Sequence, residues 1–536
     1  MVYAFTLPTT SPLAFQSFIS SPTHPSLPQS ASTARHALRL ALKAHKRLPR
    51  GPRQDAHLST VLSALNEYMP YLFAISSGLK SWSPQDRAEN AGQEGIRSSN
   101  ENPRNGGAIE ITVRAEIESA WKPTLAAGNT LHLGSGAPRG GRVTRRGIDF
   151  EIAFTLTTLG YVLSRLARAG VLESVYASHT LVPEARTAAI QNASRLLLQA
   201  SSVHGLLASS PAFAAATSST VPDIDSTTQS ALATLALAEA TLLAVLKDDA
   251  WMVKAPEIPK VRALLFARLC VRAAEYAEQA AAGLDAVGTG ASRAGRVDED
   301  VSRYAGVLGR VARARACRLF GVDAELAGKV GEGIAWLQAA RAPLGLQRAA
   351  GSSSQADDSG AQSKGGFSRL KREWAERREE RKVERDAGTG RGAKGPLEPG
   401  DDAGRDEEGR VISMLETKWV KMNDTVNTQL IPPSAPLLSN LPSGRDIHSP
   451  PAPYQPPSLD ESQLLRMRAP ADDQFDQQYG NDPDDSEEDV SAGVGIQGPP
   501  GGVSGQKPDC FERLTKTRAD WTKEFPWLLK FVNLGT

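Results

Sequence analysis

From residue 150 onward the chain repeats one pattern, an apolar residue every third or fourth position with polar residues between. In FEIAFTLTTLGYVLSRLARAG, Ile152, Leu156, Leu159, Leu163 and Leu166 recur at steps of four and three, which lays one apolar stripe along a helix. The same spacing carries Ile190, Ala193, Leu197, Ala200 and Leu207, and then the nearly all-apolar run from Leu232 to Leu246. A further helix is opened by Pro259 and runs through Val261, Leu265, Leu269 and Tyr276. Two more pass through Tyr304, Leu308 and Val311, and through Leu326, Val330, Ile334 and Leu337. Consecutive helices with Ala-rich faces predict a mainly all-α chain, a helical solenoid or large bundle. Strand alternation is confined to Tyr3, Phe5 and Leu7 before Pro8, which reads as a short edge strand or a strip packed on the helices.

Where the pattern stops, the composition says why. Residues 81–107 and the Gly/Ser- and Gly/Asp-rich stretches within about 348–410 carry too few apolar residues to build a core and read as disordered inserts. Between those stretches, FSRLKREWAERREERKVERD reads as a solvated charged helix with internal ion pairs. The pattern then returns in LETKWVKMNDTVNTQLIPPSAPLLSNLPSGR, residues 415–445, which is both proline-containing and apolar. Such a strip gains order only from docked side chains. Trp419, Leu430, Ile431, Leu437, Leu438 and Leu441 are the candidates, with Pro432, Pro433, Pro436 and Pro442 lowering the entropy cost of an extended path. Residues 446–505 turn Pro-rich and then acidic and read as a disordered tail; residues 506–536 regain Trp521, Phe525, Trp527, Leu528, Leu529 and Phe531.

With 61 basic and 60 acidic residues the formal charge is +1, so no global field gathers nucleic acid. Cys270, Cys317 and Cys510 are far apart and form no CxxC pair; the first two fall in helical patterns as core thiols. There is no GxxxxGK[ST], HExxH or GxSxG, and GSGAPRGG and GTGASRAG lack the spacing of a phosphate-binding loop. His204 reads as a structural histidine, and Glu151, Glu239 and Glu275 stand singly; Glu239, inside the most apolar helix, is placed to cap or bridge between helices. The expectation is a non-enzymatic binding protein with no cofactor and no metal. Neither a secretory signal nor a lipidation motif nor a basic amphipathic helix stands out, so a cytoplasmic protein with indirect membrane association is expected.

The segments FEIAFTLTTLGYVLSRLAR, ALATLALAEATLLAVLKDD with PKVRALLFARLCVRAAEYAEQA, and GKVGEGIAWLQAARAPL resemble the Bro-type domain of Alix-like proteins. The 415–445 stretch, YAFTLPTT and EFPWLLKFVN resemble the fungal pH-response regulators of that family. The resemblance implies a Bro-type domain over residues 1–445, with tetratricopeptide-like hairpins and a proline-containing strip run back along them. It implies an adaptor of ambient alkaline pH signalling that binds the C-terminal amphipathic helix of an ESCRT-III core subunit and meets other pathway proteins. It would be recruited to plasma-membrane cortical or endosomal ESCRT sites. Helix-in-groove binding needs apolar anchors, and the expected ones are Leu206, Leu207, Phe213, Leu232, Leu235, Ile334 and Leu337. The rival reading is a tetratricopeptide-like scaffold that clamps an acidic peptide with Arg262, Arg268, Arg272, Arg310 and Arg313. Tyr68-Met69-Pro70-Tyr71-Leu72 only superficially resembles the YPxL peptide code and is placed at a helix end.

Overall fold

The computed structural model describes residues 2–81, 109–126, 141–176, 182–210, 213, 221–249, 263–287, 296–346 and 401–469. The expected insert after residue 81, most of 348–410 with its charged helix, the acidic run, the 506–536 segment and Cys510 lie outside the described residues, as do Pro259, Val261 and Arg262.

The helices are α1 (Leu27–Arg47), α2 (Pro52–Ala56), α3 (Leu58–Ser81), α4 (Ile148–Ser174), α5 (Pro183–Ser209), α6 (Ser226–Asp248), α7 (Ala263–Ala286), α8 (Glu299–Leu326), α9 (Val330–Leu344), α10 (Arg405–Met422), α11 (Ala435–Ser439) and α12 (Glu461–Met467). From α3 to α10 each long helix packs on its neighbours in sequence, as a stack of hairpins requires. Caps mark the starts: Asp225 accepts from the backbone N–H of Thr227 and Thr228 to open α6, and Asp298 accepts from Asp300 N–H to open α8. Left-handed Gly345 closes α9. Helix α6 is long and apolar enough to cross a membrane, but most of it is buried between α5 and α7.

The N-terminal quarter departs from expectation. Helix α1 is set by the buried stripe Leu27, Ala31, Ala34, Leu38 and Leu42, with His45, Lys46 and Arg47 at its negative end; its many short apolar residues hide the stripe. Strands β1 (Thr9–Thr10), β4 (Glu118–Lys122) and β5 (Val143–Arg146) form an antiparallel sheet in the order β1-β4-β5, with Thr9 opposite Lys122 and Trp121 opposite Val143; β2 (Ile19–Ser20) pairs with β3 (Thr112–Val113). These strands are too short to show alternation, although β4 buries Ser119 and Trp121 on one side. Tyr3, Phe5 and Leu7 precede β1 as a strip packed on helices, Phe5 stacked on Tyr161 at 4.6 Å. Pro70 lies inside α3 rather than at a helix end, and Tyr68 beside it is buried. Leu326 ends α8 and is exposed, because Gly328 at φ +77° turns the chain before α9 begins at Val330.

Two boundaries also move. Residues 401–410, assigned to a flexible insert, fold: Arg405 opens α10 and Glu408 is fully buried. Order continues past residue 445 as well. Tyr454 reaches Met69, Leu459 and Met467 are buried, and Ala469 N–H donates to Thr23 O at 2.8 Å. Apolar residues spaced widely among the prolines are enough to dock this Pro-rich length.

Candidate partner-binding surface

The expected anchors separate into two places. Leu207, Leu232 and Leu235 are buried where α5 packs on α6, and Phe213 is buried just beyond α5; Leu206 is half-buried at the same end and packs against the core. Polar bonds hold the pairing in this register. His204 Nδ1 meets Gln229 Oε1 at 2.6 Å, Gln229 Nε2 donates to Thr157 Oγ1 at 3.1 Å, and Ser201 Oγ donates to Ala233 O at 3.0 Å. The His204 ring covers Gly160 of α4 so closely that a Cβ there would collide with it. Burial lowers the His204 pKa to about 4, which keeps it the neutral structural histidine expected from its helical setting. Ile334 and Leu337 lie elsewhere, fully buried in α9, which packs on α8 and α10. Of the seven, Leu206 keeps an accessible side chain; the others form floor beneath the surface.

The 415–445 stretch shows how this body binds a polypeptide, because it holds its own. Its first part is helical, not extended. Trp419, on α10, is buried over the place where α8 and α9 approach backbone to backbone at Gly321 and Gly333; a Cβ on Gly333 would sit 3.0 Å from Gly321 O and 3.4 Å from the Trp419 ring. A π turn, Asn423–Asn427, then ends the helix, and Thr428 takes φ +46°. Asn423 brackets Gln429 from both sides, its Oδ1 accepting from Gln429 N–H at 3.0 Å and its Nδ2 donating to Gln429 O at 2.9 Å. The Gln429 side chain in turn accepts from Gly331 N–H at 3.0 Å and donates to Gly328 O at 2.9 Å. Gly331 is required there, since a Cβ would collide with the carbonyl of Leu430. Leu430 itself corrects the expected anchor set: its backbone docks and its side chain is 90% exposed. Ile431, Leu437, Leu438 and Leu441 are half-buried against the core.

Farther on, the strip crosses α7. Arg268 Nε donates to Ser443 O at 3.2 Å, Arg445 N–H donates to Arg268 O at 3.1 Å, and Asp446 Oδ1 accepts from Arg272 Nε at 2.7 Å and Tyr276 OH at 2.6 Å. Those bonds from Tyr276 and Arg272 hold the Asp446 carboxyl below the usual carboxylate range. Three of the arginines offered for a carboxylate clamp are therefore engaged within the chain, because Arg313 is also forked onto Glu278 at 2.5 and 2.7 Å. Arg310 is exposed, and Arg262 is not described.

What clamps α10, and with it the strip, is a buried charge cluster that periodicity did not reveal. Glu408 accepts from Arg315 Nε at 2.9 Å and Arg318 Nε at 2.5 Å, and Arg318 also bonds Asp249 at the end of α6. All four side chains are essentially inaccessible, so each charge is matched by its neighbours rather than by water. The available signal was Arg315 and Arg318 three apart inside the apolar stripe of α8. Glu239 does bridge elements: its Oε1 accepts from Tyr3 N–H at 2.9 Å and Tyr304 OH at 3.0 Å, tying the N-terminal strip to α8. Cys270 and Cys317 are buried thiols, their pKa values pushed up by burial to about 12. Among the described residues no three His, Cys, Asp or Glu side chains converge as a metal site.

No protein-family model matches the chain. It is 54% identical over 527 residues to the pH-response regulator protein palC of Emericella nidulans, covering 95% of this chain and all of that one. Among solved structures it is similar to the ALIX BRO1 CHMP4C complex at a TM-score of 0.46 and 16% identity, covering 85% of this chain and 96% of that one. It is also similar to a Bro1 domain described as a structure basis for endosomal targeting, at a TM-score of 0.44 and 15% identity, covering 87% and 95%.

Proposed function

The chain belongs to the palC family of pH-response regulators, and from that premise we propose that it is a non-enzymatic adaptor. Its helical body, read as a Bro-type domain, binds the C-terminal amphipathic helix of an ESCRT-III core subunit and links it to the pH-receptor complex and to processing of a transcription factor. The kinship over nearly the whole chain supports the pathway; the Bro-type likeness of the helix sequences supports the partner.

The observation that carries the binding site is the end of the α5–α6 hairpin. There Leu206 is left half-open above a floor of Leu207, Phe213, Leu232 and Leu235, locked in place by the His204–Gln229 pair. A partner helix needs an apolar anchor point on a rigid base. In this reading Leu206 touches the partner, the four buried residues shape the floor, and Ile334 and Leu337 support the docked strip from beneath. By the same reading the protein is cytoplasmic and is recruited to plasma-membrane cortical or endosomal ESCRT sites, where a fluorescent fusion should form puncta that Leu206→Asp disperses.

Titration calorimetry of the full chain with the ESCRT-III C-terminal helix tests the proposal. The expected affinity is micromolar, about −8 kcal/mol. Leu206→Asp should weaken it by roughly 2 kcal/mol with unchanged circular dichroism, whereas Leu232→Asp should unfold the hairpin instead. Binding that is indifferent to a well-folded Leu206→Asp chain would move the site elsewhere.

A further inference from the structure

The chain's first acidic residue is Asp55, and the stretch before it carries Arg35, Arg39, Lys43, Lys46, Arg47, Arg50 and Arg53. Arg35 is buried against Glu151. The other six stand half-buried or exposed along the outer side of α1 and the turn into α2, and among the described residues none is in an ion pair. Lys122, at the end of β4, and Arg142, just before β5, come close enough that burial and their two charges together push the Lys46 pKa down. The nearby carboxylates are already committed: Asp55 bonds Arg165 at 2.9 Å, and Glu118, which lines the cleft beside Arg39 and His36, lies 3.8 Å from Arg146.

In the middle of these cations Leu40 is 50% exposed, with exposed Ala37 and Ala44 a turn away on either side. Helix α1 thus has two apolar aspects. One is buried in the core; the other is a short Ala-Leu-Ala ridge flanked by Arg39, Lys43 and Arg47. Seen only as a sequence, the inner stripe masks the outer one, which is why no basic amphipathic helix was expected here.

We propose that this face of α1 docks directly on an anionic lipid surface. Arg39 borders the cleft that Glu118 lines, but Lys43, Lys46 and Arg47 lie on the outer side of a rod about 30 Å long, with exposed Arg50 and Arg53 continuing past its end, and a planar array of negative headgroups meets such a surface without rearrangement of the fold. Long Lys and Arg stems reach headgroups while Leu40 enters the interfacial layer. Each cation near an anionic surface adds to the attraction, and salt weakens the sum. The proposal does not depend on the ESCRT-III reading, since α1 and the α5–α6 end share no residue.

The test is co-sedimentation of the full-length chain with phosphatidylcholine vesicles containing or lacking 30% phosphatidylserine, that fraction being a working value of about the anionic content that gives a strong surface potential. Preference for the anionic vesicles by at least about tenfold, suppressed in high salt, is expected from six or more facing cations. The triple variant Lys43→Glu, Lys46→Glu, Arg47→Glu should lose that preference at least about tenfold while its circular dichroism and its ESCRT-III helix titration stay as in the parent. A single Leu40→Trp variant should show a fluorescence blue shift on anionic vesicles alone. Equal sedimentation with both vesicle types, an unaltered preference in the folded triple variant, or no shift at Trp in place of Leu40 would each overturn the proposal. Saturable binding of poly-glutamate that outcompetes the vesicles would overturn it in favour of an acidic polypeptide partner.

Discussion

Two of the buried carboxylates, Glu151 and Glu239, live in opposite ways. Glu151, on α4, is surrounded by donors: Arg35 Nε at 2.8 Å and Nη2 at 3.2 Å, Tyr68 OH at 3.0 Å and Trp121 Nε1 at 2.7 Å. Burial pushes its pKa up, but the Arg35 charge and the bonds from Arg35, Trp121 and Tyr68 outweigh that and hold it below the ordinary value. Glu239, on α6, has two neutral donors, Tyr3 N–H and Tyr304 OH, while Arg168, whose charge it also feels, donates to Val2 O and Asp401. Burial there prevails over those bonds, and over the more distant charges of the N-terminus and Arg168, and raises the pKa to about 7. One site ties α1, α3, β4 and α4 together through a charge that must be ionised. The other ties the N-terminal strip to α8 through a group that is most comfortable protonated.

The largest effect should come from breaking the matched site. Arg35→Met strands a buried carboxylate and should cost about 3–5 kcal/mol, seen as a large fall in the urea midpoint. The next concerns the unmatched site and has a definite sign. Because the folded pKa of Glu239 lies above its unfolded value, its contribution is whole below about pH 4.5 and is lost as pH rises through about 7. That loss is on the order of 3 kcal/mol, and Glu239→Gln should flatten the stability profile over this window. Glu151 behaves in reverse: its contribution is present above the ordinary carboxylate pKa and disappears as pH falls through its lowered one. Trp121→Phe, which removes one of four donors from Glu151, should cost roughly 2 kcal/mol by thermal melts at pH 7. The smallest effect belongs to an exposed control: Asp446→Ala on the strip should change stability by less than about 1 kcal/mol despite two short bonds.

Legibility followed the length of each periodic run. Helices α4 to α9 were readable because an apolar residue recurs every third or fourth position over four or more turns, even where burial runs all round the helix, as over residues 150–164 of α4, and Trp419 was readable as an anchor in the returning apolar pattern. The Bro-type order of those segments agrees with kinship to palC along 95% of the chain. Helix α1 was hidden by its second, outward ridge, and β1 to β5 by their brevity. The buried charges were hidden for a different reason: Glu408 and Arg315 lie 93 residues apart, and a single charged residue in the sequence does not say which partner neutralises it. Of the expected anchors, sequence named apolar side chains but not their exposure. Leu206 and Leu207 are adjacent in an apolar run, and only packing against α6 decides which one faces out.

The adaptor account turns on where a partner helix lands, and hydrogen–deuterium exchange of the full chain with and without the ESCRT-III C-terminal helix reads that directly. The account predicts new protection at the end of α5 around Leu206 and at the start of α6, with residues 429–446 unchanged because the strip stays docked. Protection confined to α7 and the strip, or release of the strip with the α5–α6 end untouched, would contradict it.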